Sequence, residues 1–376
     1  MESESLQQSE SLRRYCFLSL FAYVYGEPNN KSRLLKTSLI GLTDAEMPLN
    51  FETSIGQQVR AYKKVNPGTT FNDYYNALFA IVLNDKFFDT LFLEANFQNK
   101  IGGECYIFSR GTDKYIVFRG SDEIDDIWID LTIETVPLLV GKVLTDKNIR
   151  VHKGFLYQLK NYNFIQQIMK AVSIDIKCTN IYVIGHSLGS ALGLIQGYYI
   201  HHAVKDLDIG ISIVSVGGPV VGTSSWVKSF NSIFCNGNKK RQFYRLINER
   251  DIIPNLHTYV LDKLDAFPLL KRISAVIDPP LLKYDYTLRR YLNKYTFDYK
   301  HVGFYTWVLR REQFEMMNDN WTAENSELVR VVNANHTFVE PTFSDVVNIA
   351  YSHMIEYQQW LSTFEKGGAK KLRRSE

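Results

Sequence analysis

A chain of 376 residues, 45% hydrophobic and 14% aromatic, is long enough to bury a sizeable core and is not the composition of a disordered or low-complexity protein. Its net charge of +3, with 22% charged residues dispersed along the chain, excludes a surface built for nucleic acid. Cys16, Cys105, Cys178 and Cys235 stand far apart without CxxC or metal-ligand spacing, which argues against a disulfide framework and a zinc site.

The chain begins Met1-Glu2-Ser3-Glu4, without the basic and apolar regions of a secretory signal, so an intracellular location, cytoplasmic or peripheral to a membrane, is expected. Over residues 8–25 and 71–97 apolar side chains recur at helical spacing, which predicts a helical region through residue 100 packed on the core formed by later residues. At Cys105 the pattern changes to two strands around the turn Gly111-Thr112-Asp113-Lys114. Helices are then predicted at 155–172, 187–203 and 343–364, with strands at 181–184, 211–216 and 243–247. Residues 178–204 and 209–227 lack Asp, Glu, Lys and Arg, but glycines and polar residues interrupt both, so each reads as a buried strand followed by a turn and not as a membrane span.

The alternation predicts an α/β fold with a mainly parallel central sheet and helices on both faces, as one catalytic domain over residues 101–365. Residues 258–300 are irregular and read either as a plain insertion or as a flap facing substrate or membrane. Residues 366–376 form a basic tail carrying Lys370, Lys371, Arg373 and Arg374, which reads as a solvated end or as a contact for anionic lipid at about 1 kcal/mol per cation.

The chemistry-bearing motif is Gly185-His186-Ser187-Leu188-Gly189, set between a β-branched strand and a small-residue helix. In that setting a strained turn lifts the serine oxygen above a sheet, and the following helix aims its N-terminal amides at the reacting carbonyl. Ser187 is the candidate nucleophile, and the backbone N–H of Leu188 is one candidate oxyanion donor. His186 reads as a packing residue beside it. A serine hydroxyl needs a histidine base held by a carboxylate, in the chain order Ser, acid, His. Asp251 follows the predicted 243–247 strand on a loop closed by Pro254 and is the candidate acid. His257, His301, His336 and His353 all follow it, and spacing alone leaves the base open among them.

In chain order, Phe118-Arg119-Gly120-Ser121, Trp128-Ile129-Asp130-Leu131, Val151-His152-Lys153-Gly154-Phe155, the Ser187 motif, Gly217-Gly218-Pro219-Val220-Val221-Gly222 and Asn248-Glu249-Arg250-Asp251-Ile252-Ile253-Pro254 carry a resemblance. The chain resembles the class 3, or fungal-type, triacylglycerol lipase family of the α/β-hydrolase superfamily, densely over residues 105–257 and more weakly over 301–361. Ser190 stands where the family often has a second glycine, and Val220 where it often has arginine. The resemblance implies Asp251 as acid, His353 as base within Ser352-His353-Met354-Ile355-Glu356-Tyr357, a structural His301, and Ser121 as the second oxyanion residue. It also implies a lid over residues 122–128. There Asp122, Ile124, Ile127 and Trp128 read as an amphipathic cover or as a solvated loop with a buried Trp, the family's usual tryptophan position holding Ile127.

The implied activity is hydrolysis of lipid carboxylic esters, with a phospholipase or lysophospholipase using the same residues, or an inactive lipase-like binding protein, as alternatives. The implied partners are a lipid ester substrate and the surface of a membrane or lipid droplet. No P-loop, dinucleotide fingerprint or metal cluster is visible, so no cofactor is expected.

Overall fold

The structure is a computed structural model that describes residues 2–25, 47, 49–65, 73–99, 103–120, 134–140, 148–173, 178–255, 299–311, 326–332, 353, 357, 360–361 and 373–374. In chain order its helices are α1 Glu2–Phe21, α2 Ile55–Val65, α3 Asp73–Asn84, α4 Lys153–Lys160, α5 Phe164–Ser173, α6 Leu188–Val204 and α7 Ser224–Phe234. The strands are β1 Phe92–Gln98, β2 Glu104–Arg110, β3 Asp113–Arg119, β4 Thr135–Pro137, β5 Arg150–His152, β6 Asn180–His186 and β7 Gly210–Val216. They continue with β8 Gly222–Thr223, β9 Arg241–Asn248, β10 Tyr299–Lys300, β11 Tyr305–Arg311, β12 Ser326–Val332 and β13 Arg373–Arg374.

A nine-stranded sheet runs β1-β2-β3-β6-β7-β9-β11-β12-β13, and a small four-stranded sheet runs β10-β8-β5-β4. From β3 through β6, β7 and β9 to β11 every pairing is parallel, while β1, β2 and β12 join their inner neighbours antiparallel. This is the α/β-hydrolase architecture. Crossover helices supply the parallel links, so β6 and β7 must be buried on both faces and read as nearly continuous apolar runs.

Alternation along the strands divides the core. Ile181 and Val183 of β6 and Ile211 and Ile213 of β7 pack with α4, α5, α6 and α7. Ile184, Val214 and Val216 face the opposite layer, which contains Phe17, Leu18 and Phe21 of α1 together with Tyr357 and Trp360. Helix α6 runs between the sheet and α4 and is apolar on all sides, as a buried helix must be. All four cysteines are free thiols, and no helix of the described residues is long and apolar enough to cross a membrane.

Two expectations are corrected. Residues 71–97 do not form one helix: α3 ends at Asn84, Asp85 caps a 3-10 turn over Lys86–Thr90, and residues 92–98 are the edge strand β1. Its register shifts between Leu93 and Ala95 and it is only partly buried, so the period-2 pattern that announces a strand is lost. The helix expected over 155–172 is broken into α4 and α5 at Asn163, which has φ +57°. The irregular residues 258–298, and the rest of the 343–364 helix apart from its helical residues 353, 357, 360 and 361, lie outside the described residues.

Candidate active site

The parallel strands β6, β7 and β9 end together, and the carboxyl ends of such strands are where an open α/β sheet presents its ligands. At the end of β6 the chain turns sharply into α6, with Ser187 at φ +57° and ψ −130°. A non-glycine residue in that region costs about 1–3 kcal/mol and persists only where its surroundings enforce it. They do so here. The Ser187 N–H donates to the Val216 carbonyl at 3.0 Å, and its carbonyl accepts from the Ser190 N–H at 3.0 Å. The glycines of the motif are dictated by closeness. A Cβ at Gly185 would lie 2.2 Å from the Gly189 oxygen, and one at Gly189 would lie 2.3 Å from the Phe118 oxygen. The turn is therefore wedged between its own helix and β3.

Asp251 follows β9 on the loop that Pro254 closes, and it is 2% exposed. Its Oδ1 accepts from the Ile253 N–H at 3.0 Å. Its Oδ2 lies 2.8 Å from Nδ1 of His353 and accepts from the Tyr357 hydroxyl at 3.0 Å. A carboxylate partner fixes the proton on Nδ1 and leaves Nε2 as the imidazole's acceptor. Both His353 Nε2 and Ser187 Oγ are buried without a hydrogen-bond partner among the described residues. The His353 ring lies against that of His186, the residue before the serine, tilted by 35° with centroids 4.4 Å apart. Gly217 has φ +55°, and a Cβ there would fall 2.8 Å from Asp251 Oδ2 and 3.1 Å from His353 Cε1, so a side chain would push into the Asp251–His353 pair.

Residues 115–260 match the family model described as lipase (class 3). Over these residues the chain is similar to the class 3 lipase family. No curated protein matches the chain. Among solved structures it is similar to Lip2 lipase from Yarrowia lipolytica, at 19% identity over 66% of this chain and 74% of that one, TM-score 0.47. It is also similar to the Rhizomucor miehei lipase in its propeptide complex, at 16% identity over 93% and 79%, TM-score 0.47, and to lipase II from Rhizopus niveus, at 16% identity over 81% and 94%, TM-score 0.42.

The matched region brings Ser187, Leu188 and Asp251 to one edge of the sheet, and His353 reaches them from far along the chain. His301 goes elsewhere: its Nε2 donates to the Pro254 carbonyl at 2.6 Å and ties down the loop beyond Asp251. Ser121, the lid candidates Asp122, Ile124, Ile127 and Trp128, and His257 and His336 lie outside the described residues. Leu188 is buried at the N-terminus of α6, where its backbone N–H faces no preceding helical carbonyl.

Two participants escaped sequence reasoning. Tyr357 accepts from the Asn248 N–H at 2.6 Å while donating to Asp251, and burial together with the Asp251 charge pushes its phenol well above the usual range, so it stays a donor. The signal was available, because a spacing of four sets Tyr357 on the same helical face as His353. Tyr23, just past α1, reaches His186 Nδ1 at 3.1 Å, while His186 Nε2 lies 2.8 Å from the His353 carbonyl. A carbonyl only accepts, so Nε2 carries the proton and Nδ1 accepts from the Tyr23 hydroxyl. Burial, and then the facing His353 ring, hold the His186 pKa well below the ordinary value, so the ring is neutral. The Tyr23 oxygen also lies within 2.3 Å of where a Gly120 Cβ would stand, one residue before Ser121.

Tyr23→Phe is expected to leave His186 Nδ1 unsatisfied, at a cost of about 1–3 kcal/mol. The result should be a lower unfolding temperature and a kcat reduced roughly tenfold with little change in KM, measured by calorimetry and steady-state kinetics.

Proposed function

We propose that this chain is a serine esterase of the triacylglycerol lipase type in which Ser187 is the nucleophile, His353 the base, Asp251 the acid, and the backbone N–H groups of Leu188 and Ser121 the oxyanion donors. The observation that carries the reading is the 2.8 Å contact between His353 Nδ1 and Asp251 Oδ2, made beside a serine held at φ +57°. Such a contact leaves His353 Nε2 as proton acceptor for the Ser187 hydroxyl. Attack on the ester carbonyl then forms the Ser187 C–O bond and moves charge onto the carbonyl oxygen, where each positioned N–H contributes a few kcal/mol. His353 returns the proton to the departing alcohol, leaving an acyl-serine. Water, deprotonated by the same nitrogen, cleaves the acyl-serine to carboxylate and free Ser187.

The family match over residues 115–260 supports lipid esters as the substrate class. Purified protein assayed against emulsified triacylglycerol, phospholipid, lysophospholipid and a short soluble ester, each beside Ser187→Ala, tests this. Triacylglycerol turned over fastest, with every activity lost in the variant, is the expected pattern. Phospholipid turned over fastest would move the assignment to a phospholipase, and no serine-dependent turnover of any ester would overturn it.

For residues 122–128 we propose a lid, supported by four acidic residues interleaved with Ile124, Ile127 and Trp128. Trp128→Ala is then expected to lower hydrolysis of emulsified ester several-fold while sparing soluble ester. Equal loss on both substrates would assign Trp128 to packing.

A further inference from the structure

Burying a cation without a partner is among the costliest arrangements in a protein, so each buried cation should face an anion or a set of acceptors. Three of the buried cations here obey that rule. Arg119 meets Glu104 at 2.6 Å, Lys114 meets Glu94 at 2.7 Å, and Arg241 donates to the carbonyls of Ile209 and Lys240. Arg245, in the middle of β9, is 3% exposed, yet its Nε and Nη1 are buried with no hydrogen-bond partner among the described residues.

The side chain lines a small cavity on the α6 side of the sheet, walled by Leu194, Val221 and Phe243 and holding no carboxylate among its lining residues. Directly across the parallel register stands Ser215 of β7, which lines the same cavity. Its oxygen accepts from the Ser190 hydroxyl at 2.5 Å, which leaves the Ser215 proton to be donated. His301, also on the wall, has its Nε2 proton committed to Pro254. The cavity therefore presents a cation and a hydroxyl donor inside apolar walls. Burial already drags the Arg245 pKa down to about 9, the mark of a charge that lacks compensation.

We propose that Arg245 and Ser215 bind a small inorganic anion of halide size in the cavity between β7, β9 and α6. The anion supplies the countercharge that the guanidinium lacks and accepts a hydrogen bond from the Ser215 hydroxyl. It thereby links the two strands just below Val216 and Leu246, whose carbonyls hold the Ser187 and Gly217 N–H groups. The site is separate from the acid–base pair and stands whether or not the chain is an esterase.

Thermal unfolding of the full-length protein in sodium gluconate, chloride or bromide at matched ionic strength tests the proposal, gluconate being too large for the cavity. An anion that binds the folded state stabilises it by mass action, so the wild-type Tm should rise by about 3 °C or more from gluconate to saturating halide. Arg245→Met should show no such rise and should match or exceed the wild-type Tm in gluconate, because it removes an uncompensated buried charge. Ser215→Ala should need several-fold more halide for the half-maximal shift. An equal halide response in wild type and Arg245→Met would overturn the site. So would the absence of a halide-specific rise in wild type, which, if Arg245→Met is also destabilised in every salt, assigns the guanidinium to a partner within the chain.

Discussion

Ser187→Ala is expected to lower kcat for ester hydrolysis by at least about 10⁴-fold, because a triad serine is the atom that forms the covalent intermediate and the remaining donors support only residual catalysis. The fold should survive. Ser187 Oγ is buried and has no hydrogen-bond partner among the described residues, so deleting it breaks no hydrogen bond among them. Calorimetry should therefore give an unfolding temperature equal to or slightly above wild type, beside kinetics that are almost null. Loss of activity by less than about tenfold would remove Ser187 from the nucleophile's role.

His353→Ala is expected to be as damaging as Ser187→Ala, and the double variant no worse than either, since groups that act as one unit are grossly non-additive. His301→Ala should behave differently. Its Nε2 holds the Pro254 carbonyl at 2.6 Å, so its loss loosens the loop beyond Asp251 and lowers stability, with kcat falling by less than about tenfold. Measuring kcat and Tm for the four variants separates the two histidines. A near-null His301→Ala beside an active His353→Ala would reverse the assignment.

The candidate nucleophile was legible because backbone geometry dictates its neighbours: glycines at 185 and 189 are required wherever β3 and α6 close on the turn within van der Waals range. The candidate acid was legible from chain order. Its histidine partner was not legible from spacing, since the Asp251–His353 contact spans 102 positions and the histidines after Asp251 are chemically alike. Only the resemblance pointed to His353. Tyr23 was invisible for the same reason, lying 163 positions from the His186 ring it meets, at the end of a helix that carries no motif. The central strands, buried on both faces, announced themselves as apolar runs, whereas β1, half exposed and with a shifted register, kept an apolar spacing that imitates a helix. Arg245 shows a further limit: in sequence it is one charged residue within a strand, and only its burial without a partner gives it meaning.

The most direct test of the central claim is labelling of the folded protein with a fluorophosphonate, followed by mass spectrometry of the modified peptide. An activated serine is required for rapid phosphonylation. The account requires stoichiometric label on Ser187 in wild type and in His301→Ala, and none on any serine in Ser187→Ala or His353→Ala over the same time. Label on a different serine, or undiminished labelling of Ser187 in His353→Ala, would contradict it.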